Sequence, residues 1–254
     1  MERWAGRVAL VTGASAGIGA AITRSLVKSG MKVVGCARNV ERIQKIADEL
    51  KDEPGSLKPV KCDVRQEEDI LAMFQSIKSD PDLGGVDVCV NNAGLGHDTS
   101  LMEGNSSQWR EMLDVNVLAL CICSREAYKS QRERGVNDGH FILINSMSGH
   151  RIQLSKSNHF YAATKHAVTA ILHGMRFEFR EDKVAAKVTS ISPGDVETEF
   201  LNRMLKDDAK AKEIYGSSTC LQPSDIVDAV IYALSSPPRA QIDDIWLRPI
   251  DQLD

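Results

Sequence analysis

Residues 8–19 read Val8-Ala-Leu-Val11-Thr12-Gly13-Ala14-Ser15-Ala16-Gly17-Ile18-Gly19: a short apolar run, a turn of small residues with three glycines, then the start of a helical pattern. A strand feeding a helix through glycines opens a βαβ unit and leaves free helix amides at the turn, where an anion can sit. Gly13 permits the tight turn, Gly17 lets backbone approach a pyrophosphate, and Gly19 lets the helix lie close to the sheet, with Ala14, Ser15, Ala16 and Ile18 completing the loop. Three residues rather than one separate Gly13 from Gly17, so an ordinary strand-to-helix turn is the competing reading.

The same alternation continues outward. Strand-like runs lie at Val8 to Val11, Lys32 to Gly35, Val60 to Cys62, Val86 to Val90, Phe141 to Ile144, Lys187 to Ile191 and Ile245 to Leu247. Between them, Ile18 to Ser29, Glu67 to Lys78, Ser107 to Gln131 and Tyr161 to Arg180 repeat apolar residues at helical spacing, so each can bury a stripe on the sheet. Continuous apolar strands are what a sheet covered on both faces requires. The fold class predicted is therefore α/β: a single-domain Rossmann fold over residues 1–254, with a doubly wound, seven-stranded parallel sheet and helices on both faces. Pro54-Gly55, Gly84-Gly85, Asn137-Asp138-Gly139 and Pro237-Pro238 read as connectors, because no composition shift accompanies them.

Composition narrows the function classes. The chain has 254 residues, 43% of them hydrophobic, with 31 basic against 35 acidic residues for a net charge of -4. No basic run supplies a footprint for nucleic acid or anionic lipid. No stretch approaches the roughly 20 apolar residues of a membrane span, and strand-like sequence from Arg7 leaves no room for a cleavable signal, which predicts a cytoplasmic protein. Cys36, Cys62, Cys89, Cys121, Cys123 and Cys220 lie mostly in apolar runs, as buried thiols do, and Cys121-Ile122-Cys123 lacks zinc-ligand spacing, so no metal is expected.

The second strand ends in Cys36-Ala37-Arg38-Asn39, where NAD-binding proteins place an acidic residue for the adenosine ribose. Arg38 instead offers a guanidinium fork suited to a 2′-phosphate. A residue that caps or solvates the next helix is the alternative, but the absence of a carboxylate at Ala37 favours NADP(H).

These residues, with those further along, resemble the classical short-chain dehydrogenase/reductase family over nearly the whole chain. Gly13, Gly17 and Gly19 match its glycine motif, Asp63-Val64 its adenine-contacting pair, Asn91-Asn92-Ala93-Gly94 its strand-four motif, and Pro193-Gly194 with Val196 and Thr198 its nicotinamide-side loop. Asn116, Ser146, Tyr161 and Lys165 match its catalytic tetrad. The resemblance implies a cofactor-binding part over about residues 1–150 and a catalytic and substrate part over about 140–254. It also implies that Lys165 holds the nicotinamide ribose, that Asn116 distorts its helix and holds a relay water, and that the long helices pair subunits into a homodimer or homotetramer.

Elementary chemistry supports those roles. Tyr161 and Lys165 at i and i+4 share one helix face, and an ammonium near a phenol favours the phenolate, lowering a pKa of about 10. Tyr161 can then exchange a proton with a carbonyl or alcohol oxygen. Ser146 follows an apolar run in Asn145-Ser146-Met147-Ser148-Gly149, at the carboxyl end of a strand, where it would donate to the substrate oxygen. A Ser at a strand end also bonds its own turn, and Ser148 is the one expected to do so. Asn116 lies among Val115, Val117 and Leu118 in a predicted helix that disfavours it. Asp63 sits directly after the third strand, and Asn92 can tie adjacent strands together through its amide.

Ser146 to Tyr161 is longer than the family pattern, which leaves room for an insertion between His150 and His159. Those two histidines either flank the pocket and touch substrate or are ordinary polar residues. Met204-Leu205 belongs either to a substrate lid or to a plain amphipathic helix. Gly35-Cys36-Ala37-Arg38, Asn145 to Arg151 and Arg248-Pro249 look most like the animal cytosolic branch that includes dehydrogenase/reductase member 11 and insect farnesol dehydrogenases. That branch implies an apolar carbonyl or alcohol substrate, with 3- or 17-ketosteroids favoured over terpenoid alcohols, dicarbonyls and quinones; the non-enzymatic alternative is an NADP(H)-binding regulatory protein on the same fold, against which the intact tetrad argues.

Overall fold

Residues 1–152, 157–217 and 219–252 are described by the computed structural model. Seven strands form one parallel sheet: β1 (Val8–Thr12), β2 (Lys32–Ala37), β3 (Ser56–Lys61), β4 (Val88–Asn91), β5 (His140–Ile144), β6 (Lys187–Pro193) and β7 (Asp244–Leu247). Their order is β3-β2-β1-β4-β5-β6-β7, so the direction of winding reverses between β1 and β4. A parallel sheet that reverses in this way opens a crevice beyond the carboxyl ends of those two strands.

The helices are α1 (Gly17–Lys28), α2 (Val40–Glu49), α3 (Glu67–Ser79), α4 (Ser106–Leu113), α5 (Ala119–Glu133), α6 (His159–Glu181), α7 (Glu199–Leu205), α8 (Asp208–Gly216) and α9 (Pro223–Ser235). Successive strand residues face opposite sides of the sheet, and β1 divides accordingly. Ala9 and Val11 join Ile22, Leu26, Ile43, Ile226 and Val230 in the core beneath α1, α2 and α9. Val8 and Leu10 join Ile70, Ile77, Ile122, Val168 and Leu172 beneath α3, α5 and α6. The central strands thus carry apolar residues at every position because both faces are covered.

Some boundaries differ from expectation for physical reasons. The third strand is Ser56–Lys61, not Val60 to Cys62: as an edge strand it is partly exposed along its length, so it mixes polar with apolar residues and tolerates Pro59. The segment predicted as one helix from Ser107 to Gln131 contains a π-helical turn at Asp114–Leu118 that separates α4 from α5. No helix among the described residues is long and apolar enough to cross a membrane.

Candidate active site

A cleft of about 870 Å³ opens over the carboxyl ends of the central strands. At one end the glycine turn leads into α1. Gly13 has φ +69°, and a Cβ there would stand 2.9 Å from Asn92 Nδ2. A Cβ on Gly19 would collide with the Gly13 carbonyl and the Asn92 amide, so only glycine lets the helix sit this close. Thr12 and Asn92 knot the crevice together: Thr12 Oγ1 accepts the amides of Asn92 and Ala93, each at 3.0 Å, and Asn92 Nδ2 donates to Thr12 O at 2.8 Å.

Gly13, Ser15, Ala16, Gly17 and Ile18 line this end of the cleft. Ala14 does not: it is fully buried, bonding Cys36 O through its amide, because the turn tucks it between β1 and β2. Arg38 and Asn39 both stand exposed on the cleft wall, and Asn39 also caps α2 by accepting from Arg42 N at 3.2 Å. Asp63 and Val64 line the next stretch of wall. Asp63 is engaged by its neighbour, accepting from Arg65 Nε and from the Arg65 amide, and that guanidinium holds its carboxyl below the usual range. Pro193, Gly194, Val196 and Thr198 form the opposite wall, with Thr198 capping α7 through Phe200 N.

The four remaining candidates converge near the middle of the cleft. Tyr161 and Lys165 lie on α6, both at least nine-tenths buried, and the Lys165 ammonium donates to Ile144 O at 2.8 Å while standing 5.7 Å from the Tyr161 ring centre. Ser146 hydrogen-bonds Tyr161. Its Oγ also accepts from Ser148 N at 3.1 Å, so the turn bond expected of Ser148 falls on Ser146. That bond fixes the Ser146 oxygen and leaves its proton to donate toward the phenol and the cleft. Asn116, 2% exposed, lies behind the wall inside the π turn, where it pairs with both backbone groups of Leu95 at 2.9 Å and donates to Thr164 Oγ1. A π turn within a longer helix is a common mark of a functional position.

The family model for short chain dehydrogenases matches residues 7–209. The chain belongs to that family. It is 54% identical over 256 residues to the human dehydrogenase/reductase SDR family member 11, covering 100% of this chain and 98% of the relative. It is 47% identical to a farnesol dehydrogenase of Aedes aegypti, covering 99% of each. Among solved structures, the closed form of a serine dehydrogenase complexed with NADP+ matches with a TM-score of 0.88 at 33% identity, over 96% of each chain. The protein is therefore a short-chain dehydrogenase fold and an oxidoreductase.

The electrostatics of this short-chain dehydrogenase site differ from expectation at Tyr161. Its phenol is pushed up to about 12, not down: burial disfavours the phenolate more than the Ser146 bond favours it. The Lys165 ammonium is bonded to Ile144 O and stands 5.7 Å from the Tyr161 ring centre. Burial likewise pushes Lys165 down to about 8. Tyr161 is accordingly a protonated acid at neutral pH.

Other side chains enter the site without a motif to announce them. Phe200 and Met204 of α7 stand 3.3 and 3.1 Å from where a Cβ on Gly96 would lie, and Phe200 meets the Tyr161 ring at 5.6 Å between centres. Met204 and Leu205 line the cleft from α7, and Arg203 pairs with Glu199 on the exposed side of the same helix. Asn158, at φ 75°, begins α6 on the cleft wall. A polar chain Asp63–Arg65–Glu111–His97 runs along the wall, with Arg65 and His97 each 2.9 Å from Glu111. Its members are dispersed in sequence, so no local spacing reveals it. His150 turns away from the cleft to Asp244 and Ser192, each at 3.0 Å, and neither it nor His159 lines the cleft. Residues 153–156 of the intervening loop lie outside the described residues.

Because Lys165 titrates near 8 when folded and near 10.5 ordinarily, the folded chain binds fewer protons than the unfolded chain between those values, and stability rises with pH across that window. Below about pH 8 the full burial cost, about 3 kcal/mol, is present. Lys165→Met is expected to stabilise the protein at pH 7 by about 2 kcal/mol in urea unfolding, since the orphaned Ile144 carbonyl returns about 1 kcal/mol of the gain. A net loss of stability at pH 7 would contradict this assignment.

Proposed function

We propose that this protein is an NADP(H)-dependent oxidoreductase that moves a hydride between the nicotinamide and a carbonyl or secondary alcohol of an apolar substrate. The convergence of Tyr161, Ser146 and Lys165 on one cleft carries this reading. The residues present suit the cofactor: the glycine turn admits backbone to a pyrophosphate, the first amides of α1 are without intrahelical partners, and Arg38 stands exposed where a 2′-phosphate would lie. Gly13, Ser15, Ala16, Gly17 and Ile18 would hold the pyrophosphate, Asp63 and Val64 the adenine, and Pro193, Gly194, Val196 and Thr198 the nicotinamide. When bound, NADPH supplies the hydride.

Tyr161, held protonated by burial, gives its proton to the substrate oxygen. Ser146, its Oγ fixed by Ser148 N, donates to the same oxygen and stabilises developing charge. Lys165 orients the nicotinamide ribose and supplies a buried cation beside the phenol, and Asn116 fixes the Leu95 segment behind them. Leu95, Met147, Phe200, Leu201, Met204 and Ile214 line the cleft and suit an apolar substrate, for which a 3- or 17-ketosteroid is the first reading. The mosquito farnesol dehydrogenase supports a terpenoid alcohol as the second reading.

Tyr161→Phe is expected to lower kcat by about 10³-fold while NADPH binding stays within about threefold. NADPH is expected to be preferred over NADH, and Arg38→Asp to raise the NADPH KM by about 10- to 100-fold, the worth of a charged hydrogen bond. Undiminished turnover by Tyr161→Phe would sink the mechanism, and an unchanged NADPH KM in Arg38→Asp the cofactor assignment.

A cytoplasmic homodimer or homotetramer, paired through α5 and α6, completes the proposal. Leu118, at the start of that region, and Phe177 of α6 are large apolar residues left exposed on its outer surface. Light scattering is expected to give at least twice the 27.9 kDa chain mass. A monomeric mass at working concentration would refute the pairing.

A further inference from the structure

The turn Pro249–Gln252 folds back from β7 onto the loop that begins Pro193-Gly194-Asp195. Gln252 N–H donates to Pro249 O at 3.1 Å, closing the turn, and Asp251 Oδ2 accepts from Thr219 N at 3.0 Å, pinning it from outside. Gln252 Oε1 then accepts the Asp195 amide at 3.0 Å. A Cβ on Gly194 would collide with that same Gln252 oxygen and stand 3.2 Å from Pro249 Cδ, so glycine at 194 is what lets the turn close. On the other side Leu221 N donates to Asp195 O at 2.9 Å, and Gly194 N donates to Leu247 O at 2.8 Å. The loop is clamped from two directions, and both Gln252 and Gly194 line the cleft.

We propose that Gln252 is a positioning residue of the cofactor site: its side-chain carbonyl fixes the Gly194–Asp195 peptide at the nicotinamide end, making the turn Pro249–Gln252 a working part of the cleft. The proposal rests on the reading that the cleft takes NADP(H) with its nicotinamide against this loop. The bond it invokes is local. It acts on one end of a long ligand, leaving the glycine turn and Arg38 untouched.

That locality gives the test. NADPH binding is followed by the fluorescence of the bound nicotinamide, and 2′,5′-ADP, which carries the adenosine and its 2′-phosphate but no nicotinamide, is titrated calorimetrically on the same full-length proteins. Gln252→Met, which keeps the length but removes the acceptor, is expected to weaken NADPH by about 3- to 10-fold, the worth of one hydrogen bond, and to reduce the nicotinamide fluorescence gain. The 2′,5′-ADP affinity is expected to stay within twofold. Gln252→Glu keeps an acceptor oxygen and is expected to retain NADPH within about threefold. NADPH affinity unchanged in Gln252→Met, equal weakening of both ligands, or failure of Gln252→Glu to retain NADPH would overturn the proposal. A wild-type chain that binds neither ligand would instead overturn the underlying cofactor reading, and the proposal with it.

Discussion

A buried cation organises the centre of this molecule. The Lys165 ammonium is removed from water and bonded to the Ile144 carbonyl at the last residue of β5, so α6 must lie across the end of that strand. The crossing is close: a Cβ on Gly149 would stand 2.8 Å from the Lys165 carbonyl and 2.7 Å from the Asn145 amide. Thr169, one turn further along α6, donates to Gly149 O and receives from Asn145 Nδ2, each at 3.0 Å. Ser146 is thereby held between two anchored neighbours and faces Tyr161, one turn before Lys165. Holding a charge in this place costs stability, and the same burial keeps the phenol protonated.

A second constraint joins the two halves of the sheet. Thr12 and Asn92 fasten the end of β1 to the end of β4 at the reversal of winding, and the Gly19 contact seats α1 on that knot. The knot and the Lys165 anchor are both made of short hydrogen bonds to backbone groups. The ion pairs of α7 are different. Glu199 at its start pairs with Arg42 of α2, 2.9 Å away, but both partners are about half exposed, and such a pair contributes only ~0.2–1 kcal/mol. The groups around Tyr161 and Lys165 are thus buried, while α7 turns Phe200 and Met204 to the cleft and carries its ion pairs at the surface.

Much of this was legible in the sequence, for reasons that particular residues make plain. Val8 to Val11 and Phe141 to Ile144 announce buried parallel strands because both faces need apolar residues, and Gly13 and Gly19 announce the turn because no other residue fits. Lys165 was legible by position but not in its effect: one charge beside a phenol suggests a lowered pKa, and only the burial of both groups shows that desolvation prevails. β3 was misplaced because an edge strand need not be apolar throughout. The polar chain from Asp63 to His97 and the clamp of Gln252 on Asp195 were invisible because their partners lie far apart in sequence and meet only through tertiary packing. Ala14 was placed in the site through its company in the glycine motif, although the turn itself points it into the core.

The central claim is that carbonyl reduction draws its proton from a Tyr161 held neutral to about 12, beside a Lys165 whose charge is lost near 8. The pH dependence of kcat/KM for NADPH-driven reduction of an apolar ketone tests it most directly. The account predicts a plateau below about pH 8 and a fall above it as Lys165 discharges, with no ascending limb that would mark a required phenolate. A rate that climbs from pH 7 to 10 would contradict it.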